Sequence, residues 1–150
     1  MKPIPSVLIL AVVGALAGDA SAETVFSDTK QVIQKGDKTN EREIAFVVSN
    51  EKTLVLRHRS RKDEVYATIP FDAIKEMSYE RSKSPRAKTA IFLSPLALMS
   101  PGKKHWLTVQ YQVGDKKEFV LLHLDKGEYQ RVIATLEAET GLEVEKVIEG

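Results

Sequence analysis

The chain is 150 residues long, sets 22 Lys and Arg against 21 Asp and Glu for a formal net charge of +1, and contains no cysteine. A near-neutral balance excludes bulk nucleic-acid binding, which needs a strongly basic field. Without thiols there is no disulfide, no Cys-ligated metal, no thiol nucleophile and no lipid-modified cysteine, so packing alone must hold the domain in an oxidising compartment.

The N-terminus carries the clearest signal. Lys2 is a short positive n-region, Val7 to Gly18 is an apolar run of about a dozen residues, and Asp19-Ala20-Ser21-Ala22 is a polar segment ending in an A-x-A pattern. This predicts a signal peptide over residues 1–22, cleaved at Ala22-Glu23, and a mature protein exported to a bacterial periplasm or beyond. The run is too short for a spanning helix. The remaining length is that of one domain.

Residues 23–41 are polar and mixed in charge, and read as an N-terminal arm with one weak strand around Val32-Ile33 and a turn near Gly36-Asp37. From Arg42 the pattern changes to short apolar runs separated by turn residues, the mark of an antiparallel sheet or barrel. The runs are Glu43–Val48, Thr53–His58, Glu64–Ile69, Glu76–Glu80, His105–Gln112 and Glu118–Leu124, with a single helical turn at Phe71-Asp72-Ala73-Ile74. Gly114-Asp115 marks the most secure hairpin, between the last two runs. The period then switches. Asp125 and Glu128 have capping-box spacing, and Tyr129, Val132, Ile133 and Leu136 form one apolar stripe on a helix of about four turns. Gly141 follows as a C-terminal cap, and Glu137, Glu139 and Glu143 read as a solvated face. The tail, Leu142, Val144 and Val147, is too short to assign.

The expected fold is therefore mostly β: a small antiparallel barrel or strongly bent sheet of about six or seven strands, closed by one C-terminal helix. The run Ile69-Pro70-Phe71-Asp72-Ala73-Ile74-Lys75-Glu76-Met77-Ser78-Tyr79 resembles the strand-turn-strand of bacterial pleckstrin-homology-like and GRAM-like domains. His105-Trp106-Leu107-Thr108-Val109 and the terminal helix support the resemblance, which covers roughly residues 42–142 of an expected 42–150 domain. It implies a fold only. The helix tryptophan of eukaryotic members is absent, with Tyr129 the one aromatic there, so no phosphoinositide function is carried over.

No nucleophile elbow, P-loop, zincin motif or dinucleotide turn is present. The histidines, His58, His105 and His123, fall at strand ends without further ligands at metal spacing, so neither an enzyme nor a metal or other cofactor is expected. Three basic clusters stand out instead. Arg57, His58, Arg59, Arg61 and Lys62 crowd one hairpin; Lys83, Arg86 and Lys88 lie around Pro85; Lys103, Lys104 and His105 follow a long loop. Each alone is a soluble turn; together they make a patch for a polyanion. Between them runs Ala90-Ile91-Phe92-Leu93-Ser94-Pro95-Leu96-Ala97-Leu98-Met99, which Pro95 prevents from being one strand or helix. Two roles are open to it: Phe92, Leu93, Leu96, Leu98 and Met99 contact a membrane or partner, or the segment supplies a strand and a lid on the core. The function expected is a non-enzymatic exported module acting on an anionic envelope membrane surface or an envelope protein. The alternative is a barrel for a small apolar ligand with residues 90–99 as its lid.

Overall fold

The computed structural model describes residues 23–35, 38–82 and 103–147. The leader, Lys83, Arg86, Lys88, and the apolar residues Phe92, Leu93, Leu96, Leu98 and Met99 lie outside them. The strands are β1 (Thr24–Lys35), β2 (Lys38–Ser49), β3 (Thr53–His58), β4 (Val65–Pro70), β5 (Ile74–Ser82), β6 (Lys104–Val113), β7 (Lys116–Leu124) and β8 (Val144–Val147). One 3-10 turn, Phe71–Ala73, links β4 to β5, and one helix, α1 (Tyr129–Thr140), precedes β8.

All eight strands belong to one sheet, ordered β4-β3-β2-β1-β7-β6-β5-β8, antiparallel except for β8 against β5. The protein is thus mostly β with a C-terminal helix. The sheet is not closed: β4 and β8 are its two edges. It is nevertheless strongly bent. In a flat sheet β4 and β5 would lie six strand spacings, about 29 Å, apart. The three-residue link Phe71–Ala73 reaches only about 14 Å even when extended. Ile69 of β4 and Ile74 and Met77 of β5 accordingly share one core with Phe26, Phe46, Leu54, Leu56, Leu107 and Leu122. α1 lays Val132, Ile133 and Leu136 on that core, which is the stripe its sequence period predicts.

Local chemistry explains the turns. Gly114 has φ 61°, the conformation a two-residue type II′ hairpin requires of its first residue. Gly141, at φ 77°, ends α1 by donating its N–H to the Glu137 carbonyl.

Four sequence expectations are corrected. The supposed arm is mostly β1, a twelve-residue strand between β2 and β7 in mid-sheet. The described residues hold eight strands, because β1 is long and the tail forms β8. The capping box does not form: Asp125 Oδ2 accepts the Gly127 N–H at 2.7 Å, and Glu128 occupies the N-cap without a side-chain bond to the first turn of α1. Glu137 is not merely solvated, since its Oε2 accepts the Val144 N–H and the Lys146 ammonium, both at 2.9 Å, tying α1 to β8.

A smaller cluster, Val32, Trp106 and Leu121 with Phe119 beside it, occupies the other face. Trp106 donates its indole N–H to the Ser82 carbonyl at 3.0 Å, pinning β6 to the end of β5.

Candidate functional site

Two unlike clusters stand out among the described basic residues. On the β3–β4 hairpin, the arginines are matched by carboxylates. Arg57, buried, lies 3.7 Å from Glu23; Arg59 reaches Glu43 at 3.0 Å and Arg61 reaches Glu64 at 3.0 Å. His58 turns inward on the loop, its Nδ1 accepting the Ser60 and Arg61 N–H groups at 3.0 Å each. Of this hairpin's Lys and Arg side chains, Lys62 alone makes no ion pair with a described residue. This hairpin is a neutralised turn rather than a bare cationic patch.

The second group is concave. Where β5 and β7 end and β6 begins, Arg81, Lys103, Lys104, His105, His123, Leu124, Asp125 and Lys126 line a cavity of about 350 Å³. Register builds it: Arg81 stands opposite His105, and His105 opposite Leu124, so one transverse row crosses three strands. The chain leaving β7 then brings Asp125 and Lys126 to the same rim before α1 starts.

The aromatic wall behind His105 fixes its ring. His105 stacks on Tyr129, the first residue of α1, with centroids 3.9 Å apart and planes at 11°. Tyr79 packs beside His105 against the same Tyr129 ring, at 5.5 Å from Tyr129, and meets His105 Nδ1 with its Oη at 2.6 Å. Burial, then the Arg81 and His123 charges, push the imidazole below its ordinary pKa, with Asp125 opposing. Burial and the neighbouring Tyr129 raise the Tyr79 phenol, against Arg81. A protonated phenol beside a neutral imidazole makes Tyr79 the donor to Nδ1 and leaves the ring proton on Nε2.

On the opposite face of the same strands, Glu41 of β2 links His123 and Lys104. Its Oε1 lies 3.2 Å from His123 Nδ1 and its Oε2 lies 4.0 Å from Lys104 Nζ. The His123 hydrogen bond is the largest cause of a lowered Glu41 pKa, aided by the His123, Lys104 and Lys30 charges and opposed by burial. Trp106 sits beside this group, tilted against the His123 ring at 5.1 Å.

Of the residues expected at a contact site, Lys103 and Lys104 are in this cavity, while Arg57, Arg59, Arg61 and Lys62 are on the separate hairpin. No hydrogen bond or ion pair among the described residues joins the two groups directly, although Glu41 and Glu43, two apart on β2, serve one each. Sequence reasoning missed Arg81, His123 and Lys126 as site residues. Placing Trp106 opposite Glu80 would have put Arg81 beside His105, because the hairpin register fixes both pairs together. Among the described residues no group of three or more His, Cys, Asp or Glu is arranged to hold a metal. No family model matches the sequence and no curated protein is similar enough to match it, so the reading of this cavity rests on its own residues.

Proposed function

We propose that this chain is an exported, non-catalytic interaction module of pleckstrin-homology-like type that acts at an anionic envelope membrane surface. The observation that carries the reading is that Arg81, Lys103, Lys104 and Lys126 line one cavity with a single lining carboxylate, Asp125, and with Glu41 paired to Lys104, whereas each arginine of the β3–β4 hairpin has a carboxylate of its own. A cluster of cations beside a membrane is attracted by about 1 kcal/mol per Lys or Arg, falling off within a Debye length. Support for the fold-level part comes from the two meanders, β4-β3-β2-β1 and β7-β6-β5, joined into one bent sheet with a helix packed on its core. The leader pattern supports export. The concave side is filled by its own side chains, Phe26, Phe46, Leu54, Leu56 and Leu136 among them, which favours surface contact over an enclosed apolar ligand.

The test is sedimentation of the purified protein with phosphatidylcholine vesicles containing phosphatidylglycerol. Binding is expected at low ionic strength, with release at 1 M salt, where the Debye length is about 3 Å. Lys103→Glu with Lys104→Glu should abolish it. A wild-type protein that ignores these vesicles at low salt moves the contact to an envelope protein.

A further inference from the structure

The two edges of the sheet are built unlike. β8 is four residues long and carries Glu145 and Lys146, charges of the kind that keep a natural sheet edge from pairing. β4, Val65-Tyr66-Ala67-Thr68-Ile69-Pro70, has no charged residue and is interrupted only at its end, by Pro70. The ladder to β3 fixes where its backbone groups point. The Phe71 N–H goes to the Lys52 carbonyl at 2.9 Å, and in an antiparallel pair the bonded positions alternate. Ile69 and Ala67 therefore bond to β3, and Thr68 between them turns its N–H and its C=O to the open side. No described strand meets them there. On the same edge Val65 is 48% exposed, and Tyr66 is held under the Arg42 guanidinium, 3.6 Å from its ring centroid.

We propose that β4 docks a second copy of this chain, pairing antiparallel with the same strand of the other protomer across a two-fold axis. The strand is its own complement. With Ala67 at the axis, Tyr66 faces the partner's Thr68 and Val65 faces the partner's Ile69. These are the aromatic and β-branched pairs that sheets favour, and no like charges meet within the strands. The ends match as well. Lys62 and Asp63 before β4, and Asp72 after it, make no ion pair with a described residue. Antiparallel pairing brings the Lys62 of each copy to the Asp72 of the other, and its Asp63 toward the Lys52 that stands beside Phe71. Every contact then occurs twice, as an isologous interface requires. Six residues a side make a small interface, so the dimer is a reversible one.

The experiment is analytical ultracentrifugation of the purified protein from about 1 μM to about 1 mM at low salt, with amide hydrogen exchange followed at both ends of that range. The expected result is a monomer–dimer equilibrium in which the Thr68 amide is protected only at the concentrated end. Thr68→Pro takes away the outward N–H without touching the bonds to β3, and Val65→Lys places a charge on the edge. Each should weaken the dimer about tenfold or more. Lys62→Asp sets two acids against each other at both ends and should weaken it by a similar factor of about ten. Lys62→Asp with Asp72→Lys should restore it to near the wild-type value, which a merely structural effect of either change would not do. A protein that stays monomeric at about 1 mM overturns the β4 contact, whether the Thr68 amide exchanges freely or is protected within its own chain. A dimer indifferent to both Thr68→Pro and Val65→Lys overturns it too, as does a charge-swapped form that stays as weak as the single reversal. None of these outcomes touches the membrane contact, which is read through Lys103 and Lys104.

Discussion

The Tyr79 phenol and the His105 imidazole meet at 2.6 Å while both pack on the Tyr129 ring. The three side chains come from β5, β6 and the first turn of α1, so this stack fastens the helix start to the sheet beside the basic cavity. Tyr79→Phe keeps the ring and deletes the donor. Hydrogen bonding to the neutral imidazole disfavours its charged form, so the variant should raise the His105 pKa read by NMR. The loss of stability should be about 1 kcal/mol, the net worth of one ordinary hydrogen bond. An unchanged His105 titration would show that burial and Arg81 alone set it.

The helix should divide its residues sharply. Leu136 and Ile133 are buried on the core, so truncation of either to Ala should cost about 2–5 kcal/mol and lower the melting temperature strongly. Glu137→Ala should act locally instead. It removes the acceptor for the Val144 N–H and the Lys146 ammonium, so the β8 amides should exchange faster in hydrogen-exchange measurements while those of β6 and β7 do not. If Glu137→Ala leaves β8 exchange untouched, the tie carries no stability.

Acid should weaken the fold through two groups of the same sign. Glu41 has a folded pKa held below 4.5, chiefly by the His123 hydrogen bond, so its contribution is present above that value and is lost as pH falls through the folded one. His105 is held below its ordinary 6.5. As pH drops past that value the unfolded chain takes up the proton first, and stability again falls. Melting temperature measured from pH 7 to pH 3 should fall first in the His105 window and again below pH 4.5 in the Glu41 window, with Glu128, whose pKa burial raises, opposing part of the second loss. His105→Gln should flatten the upper part of the curve and Glu41→Gln the lower part; two variants with the wild-type slope would refute the assignment.

Charge reversal should separate the two basic groups in the vesicle assay. Arg59→Glu with Arg61→Glu breaks pairs to Glu43 and Glu64 on an already neutralised hairpin. Exposed pairs of this kind are worth about 0–1 kcal/mol, so folding should survive. Vesicle binding should fall much less than after reversal at Lys103 and Lys104. Equal losses would mean that the hairpin takes part in the contact after all.

Much of the architecture was legible because its signals are local. β3, the Gly114 hairpin, the Phe71–Ala73 turn and the apolar stripe of α1 each follow from a short period and one or two turn residues. β1 was not, and the reason is geometric. A bulge between Phe26 and Thr29 breaks the two-residue alternation, so both are buried three positions apart with polar Ser27 and Asp28 between them. Polar runs of that kind read as an arm. Half of the candidate site was hidden for a related cause. Lys103 and Lys104 are neighbours in sequence, whereas Arg81 joins them through the β5–β6 register and Lys126 through the path from β7 to α1.

Among the described residues the only pairing between the two meanders is β1 with β7, where Lys30 meets His123 and Gln31 meets Leu122. Every other antiparallel pair is between strands consecutive in the chain, so each meander is assembled from local hairpins. The junction joins residues about ninety positions apart, a contact that forms late because its loop-closure cost falls due before its reward. A nascent chain therefore carries its first strand unsatisfied on the β7 side until β7 has been made. Each meander can form as its own strands emerge, but the eight strands become one sheet only when β7 closes on β1.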